Sequence, residues 1–495
     1  MWLNRYFIRH LYWPLMERYK GNRIRAYLKE LQHCQKLSPE MLRAYQEQKL
    51  RALLTHAVEQ VPAYQPYREL VQAGSGSVFE LLAQLPPLTK EHFNSHRDTY
   101  LSRDAHPERL ISNRTGGSTG EPTLFYLDRP TVEHYEAARW LGLSWHGIGI
   151  GDPSVMIWGS PIELNQLQSK RYLFKERWLK NRLMIPAYRL QEPKLDTYLQ
   201  QIRRHRPAYL YGYASALALL AELMLRNDRK LGFTLKAVVS TAETLTPKQR
   251  DLIEKAFATT VVNEYGARDG GILSYQCQAG QMHVCSPNCY LEVVDLATGR
   301  AVEPGQRGAL LVTDLNNRVM PRLRYQLGDV VAFADSGSGS GTVSASSTCP
   351  CGNPFPVLTH IDGRIDDTFV SQSGDYVHGH FFNHIARNLD GIRAFQITQH
   401  SPDHLTLKLV TNEDYTPEME AAFVHEIHQV LGESVLLRVK HVDQIAPSAS
   451  GKIRYAIREF PLPGPASSTG ESPSIPTTLP EELFPVAENK PMELA

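Results

Sequence analysis

The spacing of apolar residues changes several times along the chain, and each change marks a different kind of element. Between residues 22 and 72 it is helical, with Leu50, Leu53, Leu54 and Ala57 on one stripe. From 106 to 126 hydroxyl residues and glycines accumulate in Ser-Asn-Arg-Thr-Gly-Gly-Ser-Thr-Gly-Glu-Pro, a turn-rich stretch that runs into the strand candidate Thr-Leu-Phe-Tyr. From 131 to 330 short apolar runs (Val155–Trp158, Tyr209–Tyr211, Ala237–Ser240, Val261–Val262) alternate with helical segments such as Leu217–Leu225 and Pro247–Phe257. Alternation of this kind predicts α/β units built on parallel strands. Residues 290–333 turn β-rich (Leu-Glu-Val-Val-Asp, Ala-Leu-Leu-Val-Thr-Asp-Leu, Asp-Val-Val-Ala-Phe-Ala-Asp), and the Gly/Ser-rich stretch 335–348 reads as a loop. Beyond it, residues 366–460 hold alternating strand candidates and one long helix candidate, Pro417–Leu431. The last stretch, 461–495, carries eight prolines and is expected to be disordered.

The predicted fold class is α/β: a large N-terminal domain with parallel and mixed sheets and a β-rich subdomain, then a small mobile α+β domain. The expected boundaries are 1–363 for the large domain (its helical region about 1–72), 364–367 for a hinge and 368–460 for the small domain. A chain of 495 residues is long enough for that division. The formal net charge of +1 gives nucleic-acid binding little electrostatic support. At the N-terminus, Arg5, Arg9 and His10 interrupt an aromatic-rich run, which argues against a signal peptide or a spanning helix. Two readings of residues 1–20 remain: a helix packed on its own domain, which is favoured, and peripheral contact with a membrane surface. The expected location is the cytoplasm. A homodimer, the commonest oligomer, is the expectation for any assembly.

The segment Thr115-Gly116-Gly117-Ser118-Thr119-Gly120-Glu121-Pro122 offers three glycines for close backbone approach, three hydroxyls and free N–H groups that can nest an anion. It suits nucleotide phosphates and lacks the Lys-Ser/Thr of a Walker loop; a plain Gly/Ser/Thr turn is the other reading. Further on come Asn263-Glu264-Tyr265-Gly266-Ala267-Arg268-Asp269, Tyr325-Gln326-Leu327-Gly328-Asp329, Gly363-Arg364-Ile365-Asp366-Asp367 and Pro447 through Gly451-Lys452-Ile453-Arg454. In this order the segments resemble the motifs of the adenylate-forming superfamily of acyl-CoA synthetases, peptide-synthetase adenylation domains and luciferases. Leu210-Tyr211-Gly212-Tyr213, Ser240-Thr241-Ala242-Glu243 and Asp362-Gly363-Arg364 make the likeness greatest to its phenylacetate–coenzyme A ligase-like branch, including relatives from capsule gene clusters.

The resemblance implies ATP-dependent activation of a carboxylic acid to an acyl-AMP, followed by transfer to coenzyme A. A sugar or amine acceptor, or a catalytically inactive nucleotide-binding relative, are the alternatives. It implies that Thr115, Ser118 and Thr119, with Gly116, Gly117 and Gly120, hold the phosphates, and that Asp269 binds Mg2+ through carboxylate oxygen. Tyr265 lies by the adenine, with Ser240, Thr241, Ala242, Glu243, Asn263, Glu264 and Gly266 around the nucleotide. Asp329 takes the ribose hydroxyls, supported by Arg364, and Lys452 on the mobile domain neutralises the carboxylate–phosphate junction. Three features depart from the family pattern: Arg268 stands for its Thr, Asp269 for its Glu, and Thr123 and Leu124 follow Pro122 where a lysine is often found; a shorter carboxylate thus meets the metal, with Glu264 or water as further ligands. Tyr211, Tyr213 and Ala267 are candidates for the acid pocket, with Trp158 beside them, although aromatics of this kind also fill cores.

Five of the six cysteines lie between 277 and 351. Cys277, His283, Cys349 and Cys351 form a donor set of the kind structural Zn2+ prefers, with Cys285 and Cys289 as substitutes. Buried thiols and a surface histidine are the other reading.

Overall fold

The computed structural model describes residues 2–460 apart from 75, 115–122, 159–169, 188–189, 191, 296–297, 335–348, 365–367, 373–375, 379–381, 383–384, 387–388, 390 and 447–454. The phosphate-loop candidates, the hinge at 365–367, the Gly/Ser stretch, Lys452 and the tail therefore lie outside the described residues.

Helices come first. Trp2–Phe7, the π-helical Ile8–Tyr12 and Trp13–Lys20 run on as one rod, α1, whose junction residues keep helical dihedrals until Gly21 turns left-handed at φ 70°. Next come α2 (Ile24–Cys34) and α3 (Pro39–Gln60). At the start of α3 the Ser38 hydroxyl accepts from the Met41 N–H, and proline takes the first turn, where its missing N–H costs nothing. The stripe Leu50, Leu53, Leu54 and Ala57 is fully buried and packs with Leu291, Leu310 and Val312 of the sheet.

An antiparallel ribbon follows, β1 (Ile111–Arg114) and β2 (Leu124–Leu127), then α4 (Arg129–Trp145), capped by Asp128, whose carboxylate accepts from the Thr131 N–H at 2.9 Å. The predicted apolar runs become β3 (Ser154–Trp158), β5 (Tyr209–Tyr213), β6 (Ala237–Thr241) and β7 (Val261–Ala267). The edge strand β4 (Arg182–Pro186) holds the short run Leu183-Met184-Ile185 between Arg182 and Pro186; its Pro186 is tolerated because an edge strand need not donate on both sides. Between these strands lie α5 (Lys170–Phe174, continued by the π-helical Lys175–Leu179), α6 (Leu195–His205), α7 (Ala214–Arg226) and α8 (Pro247–Phe257). A full capping box between Thr246 and Gln249 starts α8.

Strand β7 is the junction of the fold: it runs parallel to β6 and antiparallel to β8 (Gly271–Gln276). Beyond it lie β9 (Met282–Val284), β10 (Cys289–Val294), β11 (Gly308–Asp314), β12 (Tyr325–Phe333) and β13 (Val357–Arg364). All join one 11-stranded sheet in the order β10-β11-β12-β13-β9-β8-β7-β6-β5-β3-β4. Residues 261–263 of β7 pair with β6, and its carboxyl end, residues 264–267, pairs with β8; the carboxyl ends of parallel strands are where α/β sheets bind ligands.

Helix α4 lies close on this sheet at Gly142, where an added Cβ would stand 2.1 Å from the Cγ of Tyr275, itself 2% exposed. Gly142→Ala is therefore expected to destabilise the large domain by about 1–3 kcal/mol through overpacking. Thermal melting checks this; an unchanged midpoint would mean that α4 does not seat on β8 as described.

The C-terminal part has its own core. β14 (Thr368–Val370) pairs with β15 (Tyr376–His378), and β16 (Ile392–Ser401), β17 (His404–Thr411), β18 (Leu436–His441) and β19 (Ala456–Arg458) form a sheet ordered β18-β17-β16-β19. Helix α9 (Pro417–Leu431), at the predicted bounds, buries Phe423, Ile427 and Leu431 against Phe395, Ile397 and Leu407. The observed architecture is the mixed α/β fold with a C-terminal sheet that the pattern predicted.

Candidate functional site

The side chains singled out on β7 and β12 meet. The Tyr265 hydroxyl donates to Asp329 Oδ2 at 2.6 Å, joining segments 64 residues apart. Asp329 is buried, and Gly328 before it, at φ 92°, takes a left-handed conformation that favours glycine. Arg364 is the residue opposite Asp329 in the β12–β13 register; its side chain lies outside the described residues. Asn263 donates its backbone N–H to Gln276 Oε1 at 3.1 Å. Strands β1 and β2 bracket the phosphate-loop candidates, with Arg114 facing Leu124 across the ribbon.

Asp269, just past β7, is buried beside the antiparallel half. The Tyr325 hydroxyl donates to its Oδ2 at 3.0 Å, and Arg322 Nη2 donates to its carbonyl oxygen at 2.8 Å. Burial, and after it the Asp269 carboxylate, hold the Tyr325 phenol well above its ordinary pKa, so it stays a neutral donor. Arg322 is 3% exposed and lies over the Phe125 ring at 4.5 Å. Neither Arg322 nor the Tyr325 contact was expected. Tyr325 opens a motif that resembles the family's, whereas Arg322 carries no signal in the sequence.

Glu264 faces inward. Its Oε1 accepts from the Tyr211 hydroxyl at 2.6 Å and from the Thr241 hydroxyl at 3.0 Å, and its Oε2 lies 3.5 Å from Arg139 Nε. This carboxylate is committed to a buried network under the strand ends, which is a different task from assisting Asp269 with a metal. Tyr211, 6% exposed, belongs to the same network. Tyr213 stacks on Trp158 with centroids 4.3 Å apart at the ends of β3 and β5. Ser240 is fully buried, Thr241 6% exposed, and Ala242 adopts φ 64°, a left-handed conformation that costs a non-glycine residue energy and turns the chain into Glu243. Tyr455, at the foot of β19 and three residues past Lys452, has its phenol raised to about 12 by burial and then by the Glu243 carboxylate. The described fold resumes at Tyr455, whose phenol feels the Glu243 charge.

A second cluster stands at the other end of β13. Ligand atoms of Cys277, His283, Cys349 and Cys351 all lie within 4.8 Å of one another. Cys277 Sγ and Cys349 Sγ are 3.7 Å apart, against about 3.8 Å for two sulfurs bound tetrahedrally at zinc–thiolate distance. Cys351 Sγ is 3.2 Å from His283 Nε2. On the other side of the ring, His283 Nδ1 is 2.8 Å from the Phe355 carbonyl oxygen, which can only accept; Nδ1 therefore carries the proton and leaves Nε2 as the donor atom for a metal. Gly280 at φ 80° and Gly352 at φ 75° shape the two knuckles. Cys285 and Cys289 are not substitutes: both are buried in the apolar core outside this group, with Cys289 Sγ on the Cys285 carbonyl at 3.5 Å. The donor set fits zinc.

Residues 369–459 match the family model described as the CapK C-terminal domain. The chain is 26% identical over 387 residues to Protein CapK of Staphylococcus aureus, covering 76% of this chain and 80% of that protein. It is 26% identical over 356 residues to the phenylacetate-coenzyme A ligase of Thermus thermophilus, covering 68% of this chain and 73% of the ligase. Among solved structures, 2-hydroxyisobutyryl-CoA ligase in the postadenylation state superposes with a TM-score of 0.64 at 20% identity, covering 86% of this chain and 91% of that one. The same ligase in the thioesterification state gives 0.51. The fold is therefore that of acyl-CoA ligases.

Proposed function

We propose that this chain, a homologue of CapK and of phenylacetate–coenzyme A ligases, is an adenylate-forming ligase that activates a carboxylic acid as its acyl-AMP and passes the acyl group to coenzyme A. In the first step a carboxylate oxygen attacks the α-phosphorus of ATP, the bond from that phosphorus to the β-phosphate bridging oxygen breaks, and pyrophosphate leaves. In the second a thiol sulfur attacks the acyl carbon, AMP leaves, and the thiol proton passes to solvent. Two anions must approach in the first step, so donors and cations aimed at the junction favour the transition state.

The observation that carries this reading is the Tyr265–Asp329 hydrogen bond, which brings two nucleotide motifs to one point opposite Arg364. Asp329 would accept the ribose hydroxyls while Tyr265 fixes its carboxylate. Thr115, Ser118 and Thr119 would hold the phosphates. Asp269, held by Tyr325 and Arg322, would offer its carboxylate to Mg2+, which when bound neutralises charge on the phosphates. Ser240–Glu243 would border the adenine, and Tyr213 with Trp158 would wall the acid. The Cys277–His283–Cys349–Cys351 knuckle would hold Zn2+ as a structural brace, since four protein ligands leave no open position.

Asp329→Ala is expected to weaken ATP binding about ten- to hundredfold, the effect of losing hydrogen bonds to a charged acceptor. Calorimetric titration with ATP and a mass-spectrometric search for an acyl-CoA thioester test the two parts of the proposal. Unchanged ATP affinity in the variant would refute the ribose assignment. Acyl-AMP that accumulates and is never consumed by coenzyme A would move the acceptor to an amine or hydroxyl.

A further inference from the structure

Ten large hydrophobic residues stand exposed among the described residues, and eight of them lie on α1 and α5. The two helices are joined. Asn4 Nδ2 donates to Asn181 Oδ1 at 3.3 Å, just past α5, and the Lys175 ammonium acts on the Tyr12 phenol. One face of α1 is fixed to the domain: Arg5 pairs with Asp152 at 2.5 Å, and Ile8, 1% exposed, packs over Gly151. The expectation of a helix packed on its own domain is therefore met on that face only. The other face leaves Phe7, Leu11, Leu15 and Tyr19 between 45% and 86% exposed, and α5 adds Phe174 at 61% and Trp178 at 57%.

The charges on these two segments are one-sided. Within residues 2–21 and 170–182 the carboxylates are Glu17 and Glu176, and both are buried and paired, Glu17 with Arg25 and Glu176 with Lys180 at 3.0 Å and Arg182 at 3.3 Å. The exposed charged residues of these segments are cations: Arg9, Arg18, Lys20 and Arg171. A surface of this composition has apolar aromatic and leucine tips for the acyl boundary and cations for anionic headgroups. No helix among the described residues is long and apolar enough to cross a membrane, so the contact is peripheral.

We propose that α1 and α5 together form a docking face for an anionic lipid bilayer. A second copy of the chain fits less well, because a symmetric contact through this face would set its cations against one another.

Flotation of the full-length protein with vesicles tests this. Recovery on equal parts of phosphatidylcholine and phosphatidylglycerol is expected to exceed that on phosphatidylcholine alone by about tenfold or more, and to fall as salt rises. The double variant Phe7→Glu, Leu11→Glu and, separately, Phe174→Glu with Trp178→Glu should each lower recovery about tenfold. Both should keep the wild-type melting temperature and ATP affinity, because all four side chains are exposed and outside the nucleotide site. No flotation at low salt, or equal flotation of wild type and variants, overturns the proposal. So does a wild-type dimer in sedimentation that both variants abolish while vesicles recover none of the three, which would identify a second copy as the occupant.

Discussion

Lys452→Ala is expected to slow acid-dependent pyrophosphate release by roughly a hundred- to thousandfold, the cost of removing one preorganised charge from a junction of two anions. Binding of acid and ATP should change far less, because the charge matters most where negative charge is concentrated in the transition state. Consumption of a preformed acyl-AMP with its acceptor should be largely spared. The reason is positional. Lys452 belongs to the Ser/Gly-rich segment that precedes Tyr455 and β19 in the C-terminal part of the chain. A lysine presented from a small mobile domain would leave the junction if the domain rotates between the half-reactions. Pyrophosphate release and acceptor-dependent turnover of synthetic acyl-AMP, measured side by side, separate the outcomes. Equal losses in both would contradict domain rotation, and no loss in either would make Lys452 a surface lysine.

Loss of the metal at the knuckle is expected to have the largest effect on stability. Protein purified without chelator should carry close to one zinc per chain, read by elemental mass spectrometry. Cys349→Ser should abolish that content and lower the melting temperature by about 10 °C, as when a closed structural site loses a few kcal/mol of its binding free energy. The damage should reach the nucleotide site only indirectly. Val357 of β13 pairs with His283, while Arg364 at the far end of the strand pairs with Asp329. Those two ends are about 23 Å apart at the usual rise per strand residue. ATP affinity of the folded variant below its melting temperature should therefore stay within about threefold of wild type. Zinc-free protein of unchanged stability would leave the four residues as unliganded thiols and a buried histidine.

Much of the fold was legible because its strongest elements obey local rules. Val155–Trp158, Ala237–Ser240 and Val261–Val262 read as strands because a parallel strand covered on both faces is apolar throughout. Pro417–Leu431 read as a helix because its burial follows one stripe. Strand β4 escaped because Arg182 and Pro186 end it at a sheet edge, where neither continuous burial nor full pairing is required. The site divides in the same way. The motif residues Tyr265 and Asp329 could be listed from sequence, but their hydrogen bond depends on how β7 and β12 are brought together in the mixed sheet. Glu264 reads as a nucleotide-side residue until strand alternation turns it inward onto Tyr211 and Thr241. Of the clustered cysteines, Cys277, Cys349 and Cys351 could be named with His283 from the sequence, but that their ligand atoms meet and that Cys285 and Cys289 stay out follows from the pairing of β9 with β13. An amphipathic N-terminal helix likewise has an apolar face in the sequence, and only the packing of Ile8 over Gly151 shows that Phe7 and Leu11 remain outside.

If this chain makes an acyl-AMP, it exchanges labelled pyrophosphate into ATP in the presence of its acid. With a panel of aromatic, hydroxy and short aliphatic acids, at least one acid should drive exchange well above the acid-free rate, and Asp329→Ala and Lys452→Ala should both suppress it. Exchange that is absent with every acid, in protein that binds ATP with an affinity Asp329→Ala weakens, would contradict the claim and leave a nucleotide-binding relative without ligase chemistry.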